Sequence, residues 1–133
     1  MFYLREAMYH ETDQMGVIHH SNFIKWMEEA RIFLFEKMGI SYKSLEEENI
    51  YCPVTEVNVK YLKSVYFKNK VKITLEIEEY SGVQFLINYL MYNESDELVA
   101  RARSYHCFLK NKKVISLKKE NHPYHELLEK LSK

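Results

Sequence analysis

The chain has 133 residues, the size of one domain, and nothing in it resembles a linker that would separate two. Apolar residues make up 47% and charged residues 29%, enough to build a core and keep the outside in water, which excludes a disordered chain. Lys plus Arg and Asp plus Glu number 19 each, so no overall field exists to gather nucleic acid, and any anion site must be local.

The opening segment, Phe2 to His10, mixes aromatic and charged residues in loose alternation and is expected to be a strand. It holds Arg5 and Glu6 but no apolar run fit for a signal peptide, and no later run approaches the ~20 apolar residues of a membrane span. A cytosolic protein is therefore expected. A polar turn, Glu11 to Gly16, follows. From Ser21 to Met38 the pattern is helical, with Phe23, Met27, Ala30, Leu34 and Met38 on one face and Ile24, Trp26, Phe33 and Phe35 widening it. Lys25, Glu29 and Glu36 leave only a thin polar side, so this helix is expected to be surrounded at the centre of the core, with Gly39 as its C-cap. A short surface helix capped by Ser41 is expected to run to about Glu48.

After Pro53 the period becomes two. Val57, Val59 and Tyr61 alternate with Glu56, Asn58 and Lys60, and Val71, Ile73, Leu75 and Ile77 alternate with polar residues, which predicts strands with one buried face. Turns at Ser81-Gly82 and at Asn93 to Asp96 lead into strands Phe85 to Tyr92 and Leu98 to Leu109, giving a meander. Small residues Ala100, Ala102 and Ser104 would let a helix pack close, while Val99, Arg101, Arg103 and Tyr105 take the other face. Asn111-Lys112 predicts a hairpin into a short strand near Val114 to Leu117, and a last helix runs from about Pro123 to Leu131. The order is that of an α+β fold with one long helix against one antiparallel sheet. Cys52 and Cys107 lack metal-ligand spacing and are expected to be reduced, buried thiols.

The segment Glu11 to Asn22 concentrates acids, polar residues, a glycine and two adjacent histidines just before the most apolar helix. A helix N-terminus offers unpaired NH groups and partial positive charge that can polarise a carbonyl and hold an oxyanion. Asp13 beside it can serve as nucleophile or as a base for water. On local sequence it can equally be a simple cap of a turn or helix. Adjacent histidines project to different sides, so at most one of His19 and His20 should face a site. A metal held by His10, Asp13 and one histidine of the pair is conceivable, but the spacing matches no common zinc pattern.

The stretch Glu11-Thr12-Asp13-Gln14-Met15-Gly16-Val17-Ile18-His19-His20-Ser21-Asn22-Phe23, followed by Trp26, Glu28, Ala30 and Arg31, resembles the 4-hydroxybenzoyl-CoA thioesterase family of hotdog proteins. The likeness is strongest to its bacterial acyl-CoA thioesterase branch associated with the Tol-Pal system, and it extends through Pro53 to Glu56 and Lys60 to Lys63, covering roughly residues 3 to 117. The family has a Pro and then a Gly-Asp or Asp-Asp turn where this chain has Ser64 and Lys68-Asn69. The resemblance implies one hotdog domain over residues 1–133, an antiparallel sheet around one long central helix, and hydrolysis of an acyl-CoA or acyl carrier protein thioester without a cofactor. Asp13 matches the catalytic aspartate. His20 matches both a catalytic histidine and the position whose backbone NH polarises the thioester carbonyl. Gly16 matches a glycine that permits close approach of the chain; with Val17 it is a candidate substrate contact. Asn22 and Glu28 match supporting residues. The resemblance also implies a homodimer, or a tetramer, with each site between two subunits. Lys60, Lys63, Arg101 and Arg103 stand on outward strand faces as candidates for the coenzyme A phosphates, or as solvated charge. Two other readings are a hotdog hydratase or dehydratase and a non-catalytic acyl-CoA binding module; a third, a scaffold protein, would make Asp13 a mere cap.

Overall fold

The computed structural model describes residues 1–133. Its elements are strand β1 (Tyr3–Glu6), a 3-10 turn (Tyr9–Glu11), helices α1 (Ser21–Met38) and α2 (Tyr42–Glu47), strands β2 (Ile50–Tyr51), β3 (Val54–Tyr61), β4 (Lys70–Tyr80), β5 (Gln84–Tyr92), β6 (Leu98–Cys107), β7 (Leu109–Lys110) and β8 (Lys113–Val114), and helix α3 (Tyr124–Leu131). Five strands form one sheet in the order β1-β4-β5-β6-β3, and three short ones form a second in the order β2-β7-β8. The expected meander holds for β4, β5 and β6. Strand β3 departs from it: it precedes β4 in the chain but lies beside β6, and the amides of Leu62 and Lys63 just after it both donate to the Val99 carbonyl, at 2.8 and 3.1 Å.

The chain forms two compact units, residues 1–34, 59–75 and 89–102 in one and residues 35–58, 76–88 and 103–133 in the other. In the first, α1 buries Phe23, Trp26, Met27, Ala30 and Leu34, while the strands bury Val71, Ile73, Tyr89, Met91, Val99, Ala100 and Ala102. Burying each large aliphatic side chain stabilises the fold by about 1.5–3 kcal/mol. Arg31 is buried too, with its Nη1 donating to the Tyr89 hydroxyl at 3.2 Å. The side opposite this stripe carries Lys25, Glu28 and Glu36 with Ile32 among them, while the partly exposed Ile24 and Phe33 flank the stripe, Phe33 against the Tyr3 ring at 5.3 Å. Strand β1 pairs antiparallel with β4, Tyr3 opposite Ile73. It stops at Glu6 and not at His10, because the Ala7 amide turns to the Asn69 carbonyl (2.8 Å) and the Met8 amide to the Glu11 carboxylate (2.9 Å), drawing residues 9–11 into a 3-10 turn.

In the second unit Gly39, at φ +96°, closes α1: its amide donates to Glu36 O and that of Ile40 to Phe35 O. Ser41 Oγ accepts from the Ser44 amide at 3.1 Å and caps α2. That helix buries Leu45 and so is more than a surface element. Asn111 and Lys112 both have positive φ, 52° and 65°, which makes the tight turn between β7 and β8. The strand expected up to Leu117 ends at Val114, as the Leu117 amide bonds Gly82 O instead. Both cysteines are free thiols; Cys107 is buried and Cys52 half-buried.

Strand β3 spans eight residues and none is buried. Val57 and Tyr61 are exposed and Val59 half-buried, so the face that its alternation predicts to be buried is only partly covered within the chain.

Candidate active site

Residues 12–18 form a closed hairpin. Thr12 and Ile18 make an antiparallel bridge, the Asp13 amide donates to Val17 O (2.8 Å), and the Gly16 amide donates to Asp13 O (3.1 Å). Gly16 has φ +81°, a conformation that a Cβ disfavours. Nothing lies within 4 Å of where that Cβ would be, so the turn, and no close approach within this chain, accounts for the glycine. The returning strand is stitched to residues 65 and 66: the Ile18 amide donates to Val65 O at 2.8 Å and Val17 bridges Tyr66.

Asp13 is half-buried, and its Oδ1 accepts from the Met15 amide (2.8 Å) and the Val17 amide (3.3 Å). Its Oδ2 has no partner in the chain. Asp13 therefore closes its own turn and does not cap α1. That task falls to His19, whose Nδ1 accepts from the Ser21 amide at 3.2 Å and lies 2.8 Å from Ser21 Oγ. The His20 carbonyl accepts from the Phe23 amide and from the Tyr61 hydroxyl, the latter at 3.0 Å. The His20 amide has no partner in the chain. The two histidine rings do not project apart as expected; they lie side by side, centroids 4.1 Å apart. Only His20 reaches the site.

That site is a cleft of about 290 Å³ whose walls include Asp13, Val17, His20, Phe23, Tyr61 and Lys63. Four of the expected residues, Asp13, His20, Val17 and Lys63, thus come together. Lys63 is ion-paired with Glu97. Gly16 shapes the loop without lining the cleft, and Lys60 lies exposed on β3 away from its walls. Arg101 is exposed, and Arg103 pairs with Glu78 at 3.0 Å. Asn22 is a supporting residue in plain geometry: its side-chain amide donates to Glu11 O (2.9 Å) and His19 O (3.2 Å). Glu28 is exposed. No group of three or more His, Cys, Asp or Glu side chains is arranged to hold a metal.

Two residues of the site carry interactions that the sequence gives little sign of. Tyr61 edges both Phe23 (5.2 Å) and His20 (6.1 Å), and burial raises the pKa of its phenol, which keeps it a donor to the His20 carbonyl. Glu11 is buried beneath the Asp13 loop. In the sequence it is one more acid of a polar turn, and its partners Arg5 and Trp26 lie too far apart to suggest a contact.

The profile of the thioesterase-like superfamily matches residues 8–130. A putative acyl-CoA thioesterase of Bacillus subtilis, YneP, is 34% identical over 130 residues, covering 96% of this chain and 94% of its own. A 1,4-dihydroxy-2-naphthoyl-CoA hydrolase of Thermosynechococcus vestitus is 25% identical over 108 residues, 80% of this chain and 74% of its own. Among solved structures, a DHNA-CoA thioesterase from Staphylococcus aureus superimposes with a TM-score of 0.93 at 37% identity, covering 97% of this chain and 88% of that one. The chain belongs to the thioesterase-like superfamily and is a thioester hydrolase of the hotdog fold.

Proposed function

We propose that the protein hydrolyses an acyl-coenzyme A to the free acid and coenzyme A, with Asp13 as nucleophile or general base and the N-terminus of α1 as oxyanion site. The observation that carries this is the pairing, on one cleft, of a carboxylate with one oxygen held and one free, and an amide at the helix start with no internal partner. The held oxygen fixes the carboxyl group; the free one can take a proton from water or attack the thioester carbon. As the tetrahedral centre forms, negative charge gathers on the carbonyl oxygen. The His20 NH and the positive end of the eighteen-residue helix stabilise it there. Collapse of that centre expels the coenzyme A thiolate, which takes the proton that water gives up; where Asp13 acts as base the free acid forms at once, and where it attacks, water then hydrolyses the acyl anhydride on Asp13 to release the acid and restore the carboxylate.

Phe23 and Tyr61 give the cleft aromatic walls, and two of the similar proteins are named for a naphthoyl-CoA or DHNA-CoA substrate. An aromatic acyl group is therefore the first to test. Lys63 at the cleft, freed from Glu97, and Lys60 near the end of β3 are the cations for the coenzyme A phosphates. The working unit is a homodimer.

The test is release of free thiol from short-chain, long-chain and aromatic acyl-CoA, using wild type beside Asp13→Asn. Wild type is expected to turn over at least one class, and Asp13→Asn to lose on the order of 10³-fold in kcat while keeping its fold. Full activity in Asp13→Asn removes Asp13 from the mechanism, and no turnover by wild type of any member sinks the coenzyme A reading.

A further inference from the structure

The loop that carries Asp13 is anchored by one buried carboxylate. Glu11 is 4% exposed. Its Oε1 accepts from the Met8 amide (2.9 Å) and Arg5 Nη1 (2.8 Å), and its Oε2 from Arg5 Nη2 (3.0 Å) and the Trp26 indole NH (2.9 Å). The backbone carbonyl of the same residue accepts from the His19 amide (2.8 Å) and the Asn22 side chain (2.9 Å). Glu11 is thus bonded to β1 through Arg5, to the turn before it through Met8, to the returning arm of the hairpin through His19, and to α1 through Trp26 and Asn22. The anchor is itself braced. Arg5 Nε donates to Glu29 Oε1 at 2.8 Å, the Tyr3 hydroxyl donates to the same oxygen at 3.0 Å, and the guanidinium lies 5.4 Å from the centre of the Trp26 ring.

Burial works against the charge on Glu11, but the Met8 amide, the Trp26 indole and Arg5 outweigh it and hold its carboxyl below the ordinary glutamate range. A buried ion pair of this kind is weak as a source of stability, since well-packed apolar residues can do as well. What it supplies is fixed geometry. Asp13 stands two residues beyond Glu11 on the outgoing arm, and His20 follows His19 on the returning arm. The proposed catalytic carboxylate and the proposed oxyanion site therefore sit on opposite arms that meet at this one residue.

We infer that Glu11 is a positioning residue for thioester hydrolysis, setting the separation between Asp13 and the N-terminus of α1 through its bonds to Arg5, Trp26 and the His19 amide. The inference rests on the thioesterase reading above. Its physical basis is that a misplacement of about 1 Å between reacting groups costs roughly 10²-fold in rate. A glutamine here keeps the size and one acceptor oxygen, but turns an NH₂ group toward a donor on Arg5 or Trp26. The loop must shift while the core around it stays.

The experiment is steady-state kinetics on the full chain for wild type, Glu11→Gln, Glu11→Asp, Asp13→Asn and the Glu11→Gln/Asp13→Asn double variant, with the binding of a non-hydrolysable acyl-CoA thioether measured beside them. Glu11→Gln is expected to lose about 10²-fold in kcat with KM and thioether affinity within about threefold of wild type. Glu11→Asp should recover part of the rate. The double variant should be little worse than Asp13→Asn alone, because a residue that acts through Asp13 has nothing left to position. Full kcat in Glu11→Gln overturns the inference. So does a loss that follows the folded fraction, disappears on cooling and multiplies in full with Asp13→Asn. If Glu11→Gln does not fold, Trp26→Phe removes one donor to the carboxylate and should lower kcat at unchanged KM; unchanged kcat there overturns the inference equally. An inactive wild type overturns the thioesterase reading and this role with it, whereas an active wild type beside a fully active Glu11→Gln overturns the positioning role alone.

Discussion

At the scale of single residues, the proposed mechanism asks one residue to act by its side chain and another by its backbone. Asp13 offers a carboxylate oxygen that nothing in the chain occupies, whereas His20 offers an amide, and its exposed ring makes only edge and stacking contacts. His20→Ala keeps that amide and the carbonyl held by Tyr61. It should therefore cost less than roughly tenfold in kcat, far short of the loss of an oxyanion donor. Steady-state rates on the best acyl-CoA substrate decide it: a fall beyond 10²-fold would mean that the ring itself takes part. Asp13 and His20 could be picked out in the sequence because their neighbours form a dense motif around Gly16, where a turn demands a residue free of Cβ. Glu11 could not. What distinguishes it is burial against Arg5 and Trp26, fifteen positions ahead in the latter case, and neither helical nor strand periodicity carries a contact of that kind.

At the scale of elements, legibility followed the strength of local signals. Helix α1 runs from Ser21 to Met38 as expected, because a long apolar pattern ends at a glycine whose positive φ stops it. The long strands β4, β5 and β6 follow from alternation between clear turns. Strands β2 and β8 have two residues each, too few for any period to register, and the break between β6 and β7 at Phe108 interrupts an unbroken apolar pattern. The position of β3 beside β6 was hidden for another reason: alternation fixes which face of a strand is apolar, not which strand it pairs with. The β7-β8 turn shows a local conflict with the fold. Lys112 is held at φ 65°, where a side chain costs about 1–2 kcal/mol and glycine very little. Lys112→Gly gives the Asn-Gly pair that this turn favours, and should stabilise the protein by about 0.5–1 kcal/mol after the added chain entropy is counted. A higher denaturant midpoint with an unchanged slope is the expected result; a lower midpoint would show that Lys112 is held by contacts worth more than its strain.

At the scale of the whole molecule, two elements keep apolar residues at the surface. Strand β3 is the outer strand of its sheet, eight residues long, with Val54, Val57 and Tyr61 exposed along it; a long apolar edge of this kind is normally paired or covered. Helix α1, meanwhile, leaves Ile24 and Ile32 partly exposed beside its buried stripe. The alternation in β3 and the nearly all-round apolar character of α1 both predicted burial, and in one chain β3 and the flanks of α1 stay partly exposed. The simplest account is that the sequence encodes burial in the homodimer proposed above. Tyr61 ends β3 and also lines the cleft, so a partner seated along that strand would come to the edge of the active site. A charge in the middle of the strand should then disrupt assembly and catalysis together. Val57→Lys is expected to sediment at the mass of one 16.1 kDa chain where wild type sediments at twice that, and to lose most of its thioesterase activity while its circular dichroism stays that of a folded chain. A Val57→Lys protein that is monomeric and fully active would leave the cleft complete within one subunit; a wild type that is already monomeric would mean that the exposed apolar residues of β3 and α1 are tolerated in water and serve some other contact.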